Sequence, residues 1–266
     1  MAQIYVGIGG WDYDPWRETF YPTDVPQRAQ LHYASRKLTA IEVNGTFYRL
    51  QSPAVFAKWR DETPSGFVFS LKASRLTTNR RDLREAGESV KKFLSSGITA
   101  LGEKLGPILW QLAASKKFDA EEIAAFLRLL PDEQDGIALR HALEVRHASF
   151  MCPEYLTVAR KQGAATVFAD SDEYPSFADV TGDFVYMRLM KTVSTQPTGY
   201  TKPALSKWAQ RISKWSAGSA PTDLPHIEKQ PLKAKPRDVF AFFISGAKER
   251  APAAAMRLID TIRESS

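Results

Sequence analysis

The stretch LEVRHASFMCPEYLTVARKQGAATVFAD, residues 143–170, predicts one complete unit of an α/β fold. Its ends, LEVR (143–146) and ATVFAD (165–170), are short apolar runs of strand length. Between them, residues 153–162 carry apolar side chains three and four positions apart, which is typical of an amphipathic helix. A strand, a helix and a second strand in this order predict two parallel strands joined by a right-handed crossover.

The same alternation of strand and helix patterns extends over the whole chain of 266 residues. Six more apolar runs have strand length: IYVGIG (4–9), TAIEVN (39–44), FVFSLK (67–72), PILWQL (107–112), FVYMRL (184–189) and VFAFFI (239–244). Helical spacing lies between most of the strands, at 53–62, 82–95, 119–130, 203–215 and 251–264. Eight such units predict a protein of the α/β class, a (β/α)8 TIM-type barrel, whose typical size is ~250 residues.

Two segments depart from the regular alternation. SDEYPSFADVTGD, residues 171–183, lacks helical spacing, so we expect the sixth helix to be short or absent. Residues 216–238 combine four prolines with several basic residues and predict a flexible, solvated loop. No glycine-rich fingerprint follows the first strand, which disfavours an open doubly wound sheet. We therefore expect residues 1–266 to form a single barrel domain.

The composition limits the classes of function. Hydrophobic residues make up 44 % of the chain and charged residues 25 %, which is an ordinary globular balance. Cys152 is the single cysteine, which excludes an internal disulfide framework and a cysteine-rich zinc site. We find neither a signal peptide nor an apolar run of the ~20 residues that cross a bilayer, so we expect a cytoplasmic protein with no membrane partner. The net charge of +6 permits a phosphate or nucleic-acid partner without requiring one.

Strand alternation predicts where polar side chains point. Because successive side chains face opposite sides of a strand, the apolar set covers the helix side and the other set faces the barrel interior. Six consecutive strands then direct polar groups inward near their carboxyl ends: Glu42, Asn44, Ser70, Lys72, Gln111, Glu144, Arg146, Asp170, Tyr186 and Arg188. The carboxyl ends of the strands are where this fold builds its active sites.

Three acids and three bases at one barrel mouth must pair with each other or meet a ligand, because an unpaired buried charge costs several kcal/mol. We favour a ligand site over a closed salt-bridge lattice. As catalytic groups the sequence indicates Glu42, Lys72, Glu144 and Asp170. As ligand-binding groups it indicates Trp11, Asn44, Tyr48, Gln111, Arg146, His147 and Arg188, where Trp11 and Tyr48 form an aromatic rim together with Phe47.

The expected ligand is a small anionic molecule or a phosphate, clamped by Arg146 and Arg188. Glu42 or Glu144 is the expected general base and Lys72 the acid or electrophile, which suits isomerase or lyase chemistry. We expect neither a metal nor another cofactor, because Lys72, Arg146 and Arg188 would repel a cation. The alternative is a non-catalytic ligand-binding or nucleic-acid-binding protein, which the basic charge also permits.

The sequence also resembles a known family. GIGGW, IEVNGTFYRL, FVFSLKASR, LGEKLGPILWQL, LEVRHASF and FVYMRL occur in the order expected of the YecE-like family, a domain of unknown function. The resemblance implies a (β/α)8 barrel and a shared mouth that also includes Thr46. This chain departs from the family pattern at four places: Thr78-Asn79, Ala113-Ala114, Met190-Lys191 and Ile244-Ser245. Two family histidines are lost there, which leaves open whether this divergent member is a catalyst.

Overall fold

Eight parallel strands form a closed barrel in the computed structural model, which describes residues 2–17, 19–228 and 234–265. Within these residues the barrel strands are β1 Ile4–Gly9, β2 Ala40–Val43, β3 Val68–Lys72, β4 Leu105–Gln111, β5 His141–Glu144, β6 Ala165–Asp170, β7 Val185–Leu189 and β8 Val239–Phe243. Each strand pairs with its neighbours in chain order, and β1 closes the ring by pairing with both β2 and β8. The predicted TIM-type barrel is confirmed.

Helices surround the barrel. They are α1 Gln30–Lys37, α2 Gly45–Tyr48, α3 Pro53–Glu62, α4 Arg75–Thr78, α5 Gly87–Leu94, α6 Ala120–Arg128, α7 Pro153–Lys161, α8 Lys202–Ser216 and α9 Ala251–Glu264. The first turns of α3, α7, α8 and α9 contain proline, whose fixed φ suits that position. The described residues 171–184 contain no helix, as predicted for the sixth crossover.

Apolar side chains fill two layers. The outer layer lies between strands and helices and includes the fully buried aromatic residues Trp110, Phe126 and Trp215. The second layer fills the barrel interior and includes Leu109 and Phe242. Because side chains occupy the interior, the barrel is a packed core and not a pore. The ionic side chains lie above this apolar plug.

The predicted strand phase is right for β2, β3, β4, β5 and β7 and wrong for β6. Val167 belongs to the interior layer, whereas Phe168 faces outward against Trp208 and Trp215 of α8. Asp170 has the same parity as Phe168 and pairs in register with the outward-facing Leu189. The polar residues Thr166 and Asp170 share the outward face with Phe168, whereas the inward face, Ala165, Val167 and Ala169, is apolar. The terminal aspartate therefore suggested the wrong phase.

The predicted loop at 216–238 begins as α8 ends at Ser216. Residues 229–233 of this loop lie outside the described residues. The described flanks are held against the barrel: Asp179 accepts hydrogen bonds from the amides of Ile227 and Glu228, and the Arg237 amide donates to the Ser216 carbonyl. None of the described helices combines the length and the apolar character that crossing a membrane requires.

Candidate functional site

A buried arginine holds two carboxylates together at the carboxyl ends of the strands. Arg188 on β7 donates from Nε and Nη2 to Glu42 on β2, at 3.1 Å each. Its Nη1 donates to both oxygens of Glu144 on β5, at 2.9 and 2.8 Å. The three residues are between 0 % and 2 % exposed. One planar guanidinium therefore joins three strands through charge-assisted hydrogen bonds.

Each carboxylate has further partners. Glu144 also accepts from Arg146 Nε at 3.0 Å and from Gln111 Nε2 at 2.6 Å. Glu42 accepts from the Tyr186 hydroxyl at 2.8 Å. Burial alone would raise the pKa of Glu144, but Arg188 and Arg146 outweigh it and lower that pKa. Glu144 is thus held as a carboxylate. The predicted alternative to a ligand site, a lattice of mutually paired charges, therefore describes the part of the cluster formed by the two carboxylates and their partners.

Arg188 was predicted to clamp a ligand, and the structure corrects this. Its donors already bind Glu42 and Glu144, and only 2 % of the residue is exposed. Burial alone would lower the pKa of Arg188, whereas Glu144 and Glu42 raise it. Its role is that of an internal counter-ion. The predicted general bases Glu42 and Glu144 are both fully buried and paired in the same way.

Lys72 differs from every other charged member of the cluster. It lies at the end of β3, and its Nζ sits 4.1 Å from the ring centre of Phe47 in a cation–π contact. Among the described residues its ammonium has neither a hydrogen-bond acceptor nor an ion-pair partner. Burial and then the positive charge of Arg188 lower the pKa of Lys72 to about 8, despite the opposing effects of Glu42 and Glu144.

Arg146 is the more accessible of the two predicted anion-binding arginines. It lies two residues beyond β5, and its side chain is 18 % exposed. Nε and Nη2 face Glu144, while Nη1 has no hydrogen bond within the described part of the chain. The guanidinium stacks 4.2 Å from the ring centre of Tyr174. Nε and Nη2 of Arg146 therefore bind Glu144, whereas Nη1 is free to bind a ligand.

Asp170 is not part of the cluster, contrary to the prediction. It accepts a hydrogen bond from the Tyr200 hydroxyl at 3.1 Å and lies 3.6 Å from Lys191 Nζ. Burial raises the pKa of Asp170 even though Lys191 opposes the shift. The reversed phase of β6 is the physical cause, because it turns this side chain toward the loop after β7.

The remaining predicted ligand-binding residues have different surroundings. Asn44 is half-buried beside Gly9, and its side-chain amide makes no hydrogen bond within the described chain. Tyr48 is 69 % exposed near Arg75, so it lies at the outer rim. Trp11 is partly buried and packs edge-on against Trp59 of α3, and its role as a rim residue stays a prediction.

His147 also has a local role. Its Nδ1 accepts a hydrogen bond from the amide of Ser149 and so caps the short helical turn Ala148–Phe150. The ring and the Ser149 hydroxyl are also within 2.9 Å of each other. His147 makes no contact with the carboxylates of the cluster within the described residues. His147 was predicted to be a ligand group because it follows Arg146 in the sequence. In the structure this position is the start of the helical turn.

Three residues that contribute to the site, Tyr186, Ser70 and Tyr174, were not among its predicted catalytic or ligand-binding residues. Tyr186 and Ser70 form a hydroxyl chain beneath Glu42, with 2.8 Å between the two oxygens. Both had been placed on the inward face by alternation, so the signal was present. Tyr174 covers Arg146 from a loop, where periodicity predicts no direction, and Phe47, predicted as a rim residue, covers Lys72.

No group of three or more His, Cys, Asp or Glu side chains with metal-binding geometry occurs in residues 2–17, 19–228 and 234–265. In the loop after β8, which contains residues 245–248, Lys248 Nζ lies 4.2 Å from the ring centre of Tyr13 and 5.4 Å from that of Trp16. The loop has two successive residues in the left-handed region, Ser245 and Gly246.

A parallel eight-stranded barrel with an ionic cluster at its mouth defines a TIM-type barrel with a candidate binding site. The sequence profile described as "Protein of unknown function DUF72" matches residues 5–266, and the chain belongs to this family. YecE of Escherichia coli (strain K12) is 29 % identical over 150 residues, which is 55 % of this chain and 50 % of YecE. YunF of Bacillus subtilis (strain 168) is 28 % identical over 159 residues, or 57 % and 54 % of the two chains.

These alignments span about half the length of the curated relatives. A solved DUF72 family protein from Thermotoga maritima superposes with a TM-score of 0.74 at 20 % identity, over 98 % of this chain and 99 % of that chain. At that identity the likeness supports the fold alone.

Proposed function

We propose that the mouth of the barrel binds a small anionic ligand of the sugar-phosphate type. The charge balance of the cluster carries the proposal: Glu42 and Glu144 are matched by Arg188 and Arg146, which leaves Lys72 as one cation in excess. A buried ammonium without a counter-ion is costly, and a ligand anion would relieve that cost. The same anion would accept from the free Nη1 of Arg146.

The proposal includes proton transfer of the isomerase or lyase type. A general acid–base group works best when its pKa lies near the working pH. The lowered pKa of Lys72, about 8, supports it as this group. In this proposal Glu42 and Glu144 fix the position of Arg188 and surround Lys72 with negative charge, and the unbonded amide of Asn44 offers a further ligand contact.

Thermal unfolding at constant ionic strength tests the binding proposal. Inorganic phosphate and ribose 5-phosphate are the probes, with chloride as the balancing anion. At a ligand concentration of 100 times Kd, binding stabilises the folded state by about 2.7 kcal/mol. For a chain of this length that corresponds to a rise in Tm of about 5–10 °C. Lys72→Met should abolish the rise.

Lys191→Met is the matched control, since Lys191 also follows a barrel strand but pairs with Asp170 and Asp172. It should keep the full rise in Tm. Equal shifts in wild type and Lys72→Met, or no shift with either probe, would contradict the proposal.

A second candidate function, nucleic-acid binding, is favoured by one surface. The segment after β3 presents the exposed residues Arg75, Leu76 and Arg81, and the Arg75 guanidinium lies 5.7 Å from the centre of the exposed Tyr48 ring. Cations interleaved with stacking groups suit single-stranded nucleic acid. Binding that weakens steeply with salt, and that is lost in an Arg75→Ala, Arg81→Ala double variant but kept in Lys72→Met, would favour this candidate.

A further inference from the structure

We infer that Lys72 is a nucleophilic amine that forms a Schiff base with a small anionic aldehyde or ketone bound at the barrel mouth. This inference rests on the proposed function and names the substrate class of the same site. Its basis is the geometry of the cluster: Lys72 Nζ is the one amine directed into the mouth from the described strands, and its nitrogen is neither bonded nor ion-paired there.

An amine must be uncharged to attack a carbonyl carbon, and the groups around a lysine determine what fraction of its amine is uncharged. Groups from four elements surround Lys72: Glu42 on β2, Phe47 on α2, Arg188 on β7, and both Glu144 and Arg146 at the end of β5. Burial and the neighbouring guanidinium groups favour the neutral amine, as in other Schiff-base lysines activated by desolvation or by a second cation. At pH 7 a pKa of about 8 gives a few hundredfold more neutral amine than the ordinary pKa of 10.5.

Other shielded lysines lack this combination. Lys104 is committed to the carbonyl groups of Arg60 and Thr63 through hydrogen bonds of 2.5 and 2.6 Å. Burial also lowers the pKa of Lys248, but no charged side chain contributes to that shift. Its Nζ lies over the rings of Tyr13 and Trp16, at 4.2 and 5.4 Å from their centres. These two lysines are internal controls within the same chain.

The two groups at the mouth that lack hydrogen-bond partners among the described residues determine the chemical class of the ligand. Lys72 Nζ requires a carbonyl carbon, and Nη1 of Arg146 requires an anionic group on the same molecule. An α-oxo acid or a phosphorylated aldehyde or ketone carries both. An uncharged carbonyl compound carries only the first, which makes it the matched probe for the part played by Arg146.

The covalent step balances without an oxidant or a reductant. The nitrogen lone pair forms a C–N bond, the π pair of the carbonyl moves to oxygen, and a proton passes from nitrogen to that oxygen to give a carbinolamine. The hydroxyl then takes up one proton and leaves as water, while the nitrogen lone pair forms the C=N bond. Counted from the ammonium form, one water is lost and the positive charge stays on the nitrogen.

Borohydride trapping with peptide mapping tests the inference. Added hydride reduces the C=N bond to a stable secondary amine, whose mass identifies the modified lysine. Pyruvate and glyceraldehyde 3-phosphate are the anionic probes, and acetone is the uncharged one. We expect one adduct per chain at Lys72, half-maximal near pH 8, and unmodified Lys104 and Lys248 under the same conditions. Acetone should label Lys72 about tenfold less, because it forgoes a charge-assisted hydrogen bond.

Lys72→Arg keeps the positive charge but removes the nucleophile, so it should lose the adduct while phosphate still raises its Tm. This variant separates the two proposals. A rise in Tm with phosphate but no adduct at Lys72 in wild type would overturn the Schiff base and leave anion binding in place. Neither a rise nor an adduct would overturn both. Labelling spread over exposed lysines, and unchanged in Lys72→Arg, would likewise overturn the inference.

Discussion

Arg188 is the residue on which the ionic cluster depends for its stability. It joins Glu42 and Glu144, both fully buried, through four hydrogen bonds. Arg188→Met keeps an unbranched aliphatic stem but leaves two buried carboxylates short of their counter-ion. Removing one partner of a buried pair typically costs about 3–5 kcal/mol. We expect a decrease of this size in the free energy of unfolding, measured by urea denaturation.

The control for this prediction is Arg17→Met, whose ion pair with Asp14 is largely exposed. It should leave the free energy of unfolding nearly unchanged, because exposed ion pairs contribute little. Adding Glu42→Gln and Glu144→Gln to Arg188→Met should recover part of the loss, since the residues act as one unit. Equal effects of Arg188→Met and Arg17→Met would contradict the assignment of Arg188 as a buried counter-ion.

Lys72 gives the protein a pH dependence of opposite sign to that of a salt-bridged lysine. Its pKa is about 8 in the folded state and 10.5 ordinarily, so between these values the unfolded chain binds more protons. The free energy of unfolding therefore rises with pH in this window. Relative to Lys72→Met, wild type should gain on the order of 3 kcal/mol between pH 7 and pH 10.5.

Urea denaturation of both proteins at several pH values measures this difference, because other titrating groups are common to the two. Lys191→Met is again the control. Its hydrogen bond to Asp172 raises the pKa of Lys191, so wild type should lose stability relative to that variant as the pH rises. A flat difference between wild type and Lys72→Met would refute a desolvated Lys72.

At the scale of single residues, alternation predicted Glu42, Lys72, Gln111, Glu144 and Arg188 correctly as neighbours. It could not predict which of them pair. Arg188 reaches two carboxylates on strands far away in the sequence, and that depends on the curvature of the closed barrel. The isolation of Lys72 is a consequence of this pairing. The function of a charged group thus depended on three-dimensional distances that the sequence does not contain.

At the scale of elements, strand positions were predicted to within about two residues, because bounded apolar runs mark buried strands well. The phase of β6 failed because the polar residues Thr166 and Asp170 lie on the outward face of ATVFAD, whereas the inward face is apolar. A hairpin, Glu133–Gln134 with Ile137–Ala138, was missed although its turn residues Asp135 and Gly136 are typical of such turns and both have positive φ. The hairpin could therefore have been predicted from its turn residues, whereas the phase of β6 could not have been predicted from its side chains.

The sixth crossover shows how a segment without a helix is held in place. The Thr181 hydroxyl accepts from the Thr166 amide and donates to the Ala164 carbonyl, both at 2.7 Å, and all three residues are buried. Thr181→Val preserves the shape but removes both hydrogen bonds and a third one, of 2.9 Å, to the Thr166 hydroxyl. Buried polar groups left without partners cost about 1–3 kcal/mol each. We expect at least that decrease in the free energy of unfolding.

Thr157→Val serves as the comparison for Thr181→Val. Thr157 is exposed on α7, and its hydroxyl donates only to the Pro153 carbonyl in the preceding turn. Surface substitutions of this kind usually change stability by less than about 0.5 kcal/mol. Similar changes for both variants would mean that Thr181 does not anchor the crossover.

At the scale of the whole molecule, the barrel was predictable because eight strand–helix units of similar length leave few other topologies. No single segment of the sequence predicts that the sheet closes into a ring. Closure depends on β1 pairing with β8, which brings together residues more than 230 positions apart, such as Ile4 and Val239. The side chain of Asp238 supports this junction by accepting from the Gln3 amide and pairing with Arg140.

Closure leaves β1 without a free edge, and hydrogen exchange can measure this. Its amides bond within a sheet on both sides, to β2 and to β8, so they open only when a large part of the barrel opens. We expect peptides covering residues 4–9 to exchange as slowly as those covering residues 185–189. The hairpin at 133–138 is the internal control, because it is two-stranded and partly exposed and should exchange much faster. Exchange of residues 4–9 at the rate of the hairpin would show that the ring is open between β1 and β8.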